Sequence, residues 1–420
     1  MANGYGVRVS LENLGCRVNR VELDQMALAL EEAGATICGA GEADIVVLNT
    51  CAVTAEAEAK TRKAIRRSLR LKRKPYVIAC GCAAMLAQDE IEGLSDRVEV
   101  VPLKAQVPAR IMDIARDLDL SPQEPATSST ASTVTPTGRT RPGIKIQDGC
   151  DLRCTYCIVW KARGPSRSMP AREVLEEVEK AKARGAHEVV LTGINLGCYD
   201  DGTARLPQLI QKILDETPIE RIRLSSIEPQ DVTGELLDVM AGSGGRVAPF
   251  LHICLQSGSD TVLRRMGRAY DTEKFAQVCA EARDKVAGIA LGTDLICAFP
   301  GETDEEFGES LAFCERMHFA KMHVFRYSKR PGTPAAARTD QVPAQVSAER
   351  ARKVRDLAMR MRLEEMCSHE GEEALVLVQE PGKAIDGHLF DVEVDERLAP
   401  DTLVRVRLVM DNDRLVGVED

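Results

Sequence analysis

No stretch of this chain approaches the roughly 18 consecutive apolar residues of a membrane span, and its opening, MANGYGVRVSLENLGC, lacks the basic-then-apolar pattern of a secretory leader. A cytoplasmic protein with no membrane partner is expected. Positive charge is not in surplus: the formal net charge is −10, which argues against attraction of the whole molecule to nucleic acid. A polyanion partner would have to meet a local basic surface. No internal repeat stands out. What is plentiful is cysteine, with 14 in 420 residues. Disulfides rarely persist in a reducing cytosol, so clustered cysteines read as metal ligands or catalytic thiols. Isolated ones read as small buried hydrophobes, and Cys38, Cys198, Cys254, Cys279, Cys297, Cys314 and Cys367 are assigned to that class.

The pattern along the chain predicts an α/β protein in three parts. Residues 1–120 alternate short β-branched runs (GVRVSL, ADIVVLN, PYVIAC) with helical segments, as in a parallel α/β sheet domain. Residues 121–142, rich in Ser, Thr and Pro with almost no large apolar side chain, read as a linker. Residues 143–371 carry six strand-like runs with helices between them, which predicts an open, partial (βα)6 barrel with chemistry at the strand C-termini. One helix there takes Ser168 as its N-cap and Gly185 as its C-cap, another is capped by Thr303, and residues 346–370 read as one long charged helix. Residues 372–420 alternate with period two and predict a small antiparallel β-domain, barrel-like.

DGCDLRCTYC sets Cys150, Cys154 and Cys157 in a C-x3-C-x2-C spacing. Three thiolates can hold three irons of a four-iron cluster and leave the fourth open for the amino and carboxylate groups of S-adenosylmethionine (SAM). After a strand that opens a β–α series, this spacing is that of the radical SAM superfamily. A zinc site would want a fourth Cys or His nearby in sequence, and none follows. Tyr156, inside the motif, could pack on an adenine or serve as a core tyrosine. Cys16, Cys51 and Cys82 each follow a predicted strand, and strand C-termini of a parallel sheet meet along one edge, so the three can converge on one site. Chance placement of three loop cysteines is the alternative. Cys80 competes with Cys82, but alternation points Cys80 into the sheet and leaves Cys82 in the loop.

LGCRVN, NTCAVT, GCAA, DGCDLRCTYC, RGPSRS, SSIEP, LQSGSDTVLRRMGRAY, FPGETDEEF and FRYSKRPGTPAA together resemble the methylthiotransferases, most closely the threonylcarbamoyladenosine tRNA enzymes. The resemblance runs over about residues 7–370. It implies two four-iron clusters, one on Cys150, Cys154 and Cys157 and one on Cys16, Cys51 and Cys82, with SAM as cofactor, an external electron donor and tRNA as substrate. One SAM would methylate a sulfur held at the second cluster. Another would be cleaved to a 5′-deoxyadenosyl radical that activates C2 of N6-threonylcarbamoyladenosine beside the anticodon. The C2–H bond has no acidic proton, so a radical generator and a sulfur donor are the minimal equipment.

Further candidates lie at strand ends. Gly193 and Asn195 in LTGINLG resemble the loop that passes over the SAM amino group, where glycine permits close approach; a turn glycine is the plainer alternative. Ser226 and Glu228 in SSIEP, with Gln256 and Asp294, are candidate partners of the SAM amino acid or ribose. Residues 60–74 hold nine Lys or Arg in fifteen positions on a helix capped by Thr54. A charge run is usually a solvated face, but here Lys60, Arg62, Arg66, Arg67 and Arg70 concentrate positive charge in an acidic protein and are assigned to tRNA phosphates. Arg163 and Arg167 are assigned to guiding the anticodon loop. The family's terminal β-barrel, TRAM-like in pattern, binds RNA. Here residues 380–420 carry eleven acidic residues against five Lys or Arg, a surface that should repel phosphate and suits a packing role instead. Trp160 stands where relatives often have proline. Alternatives are a methylthiotransferase of isopentenyl-adenosine tRNA or of a ribosomal-protein aspartate, and a non-catalytic iron–sulfur or zinc scaffold.

Overall fold

The computed structural model describes residues 6–118, 120, 134–135 and 137–419. It divides into one unit of residues 1–139 with 158–164 and a second of residues 140–157 with 165–420.

The first unit is built on a parallel sheet of β1 (Arg8–Asn13), β2 (Thr36–Ile37), β3 (Ile45–Thr50), β4 (Tyr76–Gly81) and β5 (Val98–Val100), in the order β2-β1-β3-β4-β5. Alternation sorts its side chains onto two faces. Val9, Ile45, Val47, Ile78 and Cys80 meet Leu23, Met26 and Leu30 of helix Arg17–Glu32 and Ile111 and Ile114 of helix Val107–Asp117. Val46, Leu48, Val77 and Ala79 meet Ala64 and Ile65 of helix Ala55–Leu69. Each fully buried Leu or Ile contributes roughly 1.5–3 kcal/mol. Thr54 caps the last helix by accepting from Ala57 N at 3.1 Å. The expected linker over 121–142 falls mostly outside the described residues. Its described end is packed: Val134, Thr135 and Thr140 are buried, and Thr137 donates to the Asp24 carboxylate. Those few apolar and hydroxyl groups found partners that composition does not reveal.

The second unit begins with β6 (Gly143–Lys145) and a small antiparallel pair, β7 (Gln147–Asp148) with β8 (Arg167–Ser168). β9 (Glu188–Thr192), β10 (Arg221–Leu224), β11 (Phe250–His252), β12 (Ala290–Cys297) and β13 (Lys321–Arg326) follow. β6, β9 and β10 form one parallel sheet and β11, β12 and β13 another. The parallel bridges Ile222–Val247 and Ile227–Ile253 connect them into an open six-stranded barrel. Helices Ala171–Ala183, Leu206–Glu216, Gly234–Gly242, Thr272–Lys285 and Asp304–Met317 cross between strands, and Ala344–Ser368 forms the long charged helix. Thr303 caps its helix through a reciprocal capping box with Glu306. The expected Ser168 cap is displaced: Pro170 precedes that helix, because Ser168 is held in β8 and accepts from Asp200 N at 2.9 Å. Gly185 does lie just beyond the helix end, at φ +94°.

The same unit ends in a closed five-stranded barrel of β14 (Glu373–Glu380), β15 (Lys383–Ile385), β16 (Asp391–Glu393), β17 (Leu403–Asp411) and β18 (Arg414–Val418). One pair, β16 with β18, is parallel, where an all-antiparallel domain was expected. Val376, Val378, Ile385, Phe390 and Leu408 fill a core continuous with Phe250, Ala290 and Met366.

Candidate functional site

In the first unit, β1, β3 and β4 are neighbours and their C-termini deliver Cys16, Cys51 and Cys82 to one edge. Cys16 opens helix Arg17–Glu32, Cys51 follows β3 and Cys82 begins a short helix after β4. Cys16 is exposed; Cys51 and Cys82 are buried, Cys82 beside Ala52, Ala83 and Ile158. Cys80 lies fully buried on the sheet face, as alternation requires. Two asparagines and Thr50 tie the three loops together. Asn19 Nδ2 donates to Asn49 Oδ1 at 3.1 Å and Thr50 O at 2.8 Å, while Asn49 Nδ2 donates to Asn19 O at 2.7 Å. Thr50 Oγ1 donates to Cys80 O at 2.7 Å and accepts from Ala84 N at 2.9 Å. Gly81, at φ +93°, leaves the space this needs, since a Cβ there would stand 2.4 Å from Thr50 O. Sequence reasoning missed Asn19 and Asn49 as positioning residues, although both lie inside the LGCRVN and NTCAVT motifs.

Burial, with the neighbouring Cys16 and Cys82 sulfurs, pushes the Cys51 thiol up to about 11 against the Val53 N–H and Arg163. The donors around this edge are thiols that feel one another, a set suited to iron–sulfur ligation, where metal binding displaces the proton that burial retains. Arg163 is not available to RNA as expected. Its side chain is 5% exposed, pairs with Glu22 at 2.9 Å and donates to Asn19 Oδ1 at 2.8 Å.

In the second unit, Cys150, Cys154 and Cys157 lie on the loop after β7. Thr155 fixes that loop by donating its N–H to Met266 O at 2.9 Å and its hydroxyl to Arg265 O at 2.8 Å. Arg268, missed by sequence reasoning, donates to Cys154 Sγ at 3.1 Å and pairs with Glu228. Tyr156 packs edge-on to Phe299, beside Met266 and Ala335, in the manner of a core tyrosine. Gln147 joins the cysteine loop to the end of β9: its Nε2 donates to Gly149 O at 3.0 Å and its Oε1 accepts from Asn195 N at 2.8 Å. Gly193 serves this residue, because a Cβ there would stand 2.9 Å from Gln147 Oε1. The close approach expected at Gly193 is therefore to Gln147.

The ends of β9 and β10 carry three buried polar atoms without a hydrogen-bond partner among the described residues: Thr192 Oγ1, Asn195 Oδ1 and Ser225 Oγ. Unpaired buried oxygens are costly, and these fit the polar amino-acid and ribose groups of SAM. Ser225 rather than Ser226 is the buried serine of SSIEP. Gln256, at φ +67°, is held by backbone hydrogen bonds to Asp294 and Ile296. Asp294 is engaged by His252 and His323 at 2.9 and 3.1 Å. Burial pushes its carboxyl up, but the two imidazoles outweigh that and hold it well below the usual carboxylate range. Cys198 is exposed, accepts from Asn195 Nδ2 at 3.0 Å and lies 3.9 Å from Asp231, so it is not the isolated buried hydrophobe expected; Cys38 and Cys367 are not fully buried either.

Helix Ala55–Leu69 buries Ile65 and turns its cations outward. Lys60, Arg62 and Arg67 face Glu56, Glu90 and Glu12 at 2.8, 3.7 and 2.6 Å. Arg66 and Arg70 are exposed and have no carboxylate partner among the described residues. Arg167 is 58% exposed and pairs with Asp148 at 2.9 Å. No helix of the described residues is long and apolar enough to cross a membrane.

Two family descriptions match: the Radical SAM superfamily over residues 144–314 and Uncharacterized protein family UPF0004 over residues 8–102. The Threonylcarbamoyladenosine tRNA methylthiotransferase MtaB of Thermotoga maritima is 37% identical over 365 residues, covering 84% of this chain and 83% of that protein. The tRNA-2-methylthio-N(6)-dimethylallyladenosine synthase of Anaplasma phagocytophilum is 32% identical, covering 90% and 88%. Among solved structures, the radical S-adenosylmethionine methyltransferase TsrM of Kitasatospora setae matches with a TM-score of 0.56 at 17% identity, covering 79% of this chain and 77% of that one, a likeness of fold alone.

Proposed function

This chain belongs to the threonylcarbamoyladenosine tRNA methylthiotransferase family of radical SAM enzymes, and from that premise we propose that it adds a methylthio group at C2 of N6-threonylcarbamoyladenosine beside the tRNA anticodon. The observation that carries the reading is the pairing of two thiol sets: three cysteines gathered at adjacent strand ends, and a separate C-x3-C-x2-C loop whose neighbouring strand ends hold unpaired buried oxygens. Cys150, Cys154 and Cys157 would hold one four-iron cluster, and Cys16, Cys51 and Cys82 a second. Such clusters supply reductive cleavage of SAM at one site and a sulfur to be methylated and transferred at the other.

The protein's own residues then position and exclude. Arg268 donates to Cys154 and is fixed by Glu228. Gln147 couples the cysteine loop to Asn195. Asn19 and Asn49 keep the loops of the second set in register. The outward cations of helix Ala55–Leu69 would take tRNA phosphates, and an external donor would supply electrons. Work on tRNA would put the protein in the cytoplasm. The dimethylallyladenosine relative, at 32% identity, supports a second reading in which the substrate carries that group instead.

Reconstituted protein, SAM and reductant are to be incubated with tRNA bearing either modified adenosine, and the nucleosides analysed by mass spectrometry. A 2-methylthio product from the threonylcarbamoyl substrate alone is expected. Product only from the dimethylallyl substrate would replace the first reading with the second, and no product from either would overturn both.

A further inference from the structure

Three adjacent parallel strands of the open barrel bring together a group that neither cysteine set uses. His252 ends β11, Asp294 lies within β12 and His323 within β13. The register sets His323 directly opposite Asp294, and His252 opposite Gly292, two residues before Asp294 and so on the same face. Gly292 makes room for this arrangement: a Cβ there would stand 3.0 Å from His252 Nδ1. Both imidazoles converge on one oxygen, His252 Nε2 at 2.9 Å and His323 Nδ1 at 3.1 Å from Asp294 Oδ1. Their rings stack at 4.9 Å with 29° between planes. One nitrogen of each histidine and one carboxylate oxygen all lie within 4.8 Å of one another.

We propose that His252, Asp294 and His323 bind a borderline divalent cation, Zn2+ foremost, as a mononuclear two-histidine, one-carboxylate site. Two imidazoles and a carboxylate match zinc sites that keep an open coordination position. Magnesium and calcium ask for more oxygen ligands than this face offers. Exposure is graded across the group, from 5% at His252 through 19% at Asp294 to 43% at His323, so the site has a closed floor and one side open to exchange. Cys254 Sγ stands 3.9 Å from Asp294 Oδ2, beside the group and outside its three gathered ligand atoms. A zinc ion held at about 2.0–2.1 Å from nitrogen and 2.0–2.2 Å from oxygen would replace the hydrogens now shared with Oδ1.

The test uses cluster-reconstituted protein equilibrated with Zn2+ and passed through a desalting column, with iron and zinc counted and the zinc edge examined by X-ray absorption. One zinc per chain with a nitrogen and oxygen shell and unchanged iron is expected. His323→Ala should weaken zinc affinity at least about tenfold while iron holds constant. His323→Gln, which keeps a hydrogen-bonding group toward Asp294 but offers no imidazole, should do the same in a chain with wild-type thermal stability. Zinc absent from the wild type, zinc retained in both variants, or a sulfur-dominated zinc shell would each overturn the site.

Discussion

Glu188 on β9 and Arg223 on β10 form a buried two-pronged ion pair, with Arg223 Nε and Nη2 donating to the carboxylate at 2.8 and 3.3 Å. Arg221 donates to the same carboxylate at 2.5 Å. The remaining guanidinium N–H groups reach into the terminal barrel, Arg221 to Leu375 O and Ile385 O, Arg223 to Asp386 O and Gly387 O. One carboxylate thus orients two cations that fasten the barrel to the open (βα)6 barrel beneath it. An acidic terminal domain can therefore be held in the fold by cations without touching phosphate.

Removing that carboxylate leaves two buried guanidinium groups uncompensated. Glu188→Ala is expected to cost about 3–5 kcal/mol, read as a fall in the denaturant midpoint. A drop below about 1 kcal/mol would show the pair to be dispensable.

The same residue sets a pH dependence. Burial raises Glu188, but Arg223 and Arg221 outweigh it and bring it from the ordinary 4.5 to about 2. A lowered folded value means stability is present in full above pH 4.5 and is lost as pH falls toward 2, by roughly 3 kcal/mol. Melting curves of wild type and Glu188→Gln between pH 6 and pH 3 should converge as the pH falls. Parallel curves would refute it.

Asn19 and Asn49 bind the Cys16 and Cys51 loops to each other, and Thr50 carries the link on to the Cys82 loop. In a background with Cys150, Cys154 and Cys157 replaced by alanine, about four irons are expected per chain. Asn49→Ala should lower that content by half or more after desalting, with secondary structure kept. Full iron retention would leave the asparagines without a positioning role.

Arg268 donates to Cys154 Sγ, and hydrogen bonds to cluster sulfurs raise the reduction potential. Arg268→Met should shift the midpoint of the SAM-site cluster to more negative values in a redox titration followed by electron paramagnetic resonance. A positive shift, or none, would count against the contact.

Arg66 and Arg70 are exposed on the basic helix. Arg66→Ala with Arg70→Ala should weaken tRNA binding and reduce the slope of log K against log salt by about 1 for each phosphate no longer neutralised. An unchanged slope would assign the helix to a solvated face.

Much of this protein was legible before any coordinates. Strand and helix periodicity marked the parallel sheet, the six-stranded barrel and the terminal β-domain, because which face of an element is apolar is written in residues two or four apart. Local chemistry marked the caps at Thr54 and Thr303, the C-x3-C-x2-C spacing set Cys150, Cys154 and Cys157 on one loop, and Cys16, Cys51 and Cys82 were singled out because each follows a predicted strand. Tertiary structure decided the remainder. Arg163 looked like a guide for RNA and is instead buried against Glu22; Asp294, singled out only as a strand-end residue, meets two histidines; Gly193 opens space for Gln147. Each of these outcomes depends on a partner dozens or more residues away along the chain. Local sequence specifies which side chains an element presents, while only the packing of distant strands determines which charge or lone pair each one meets.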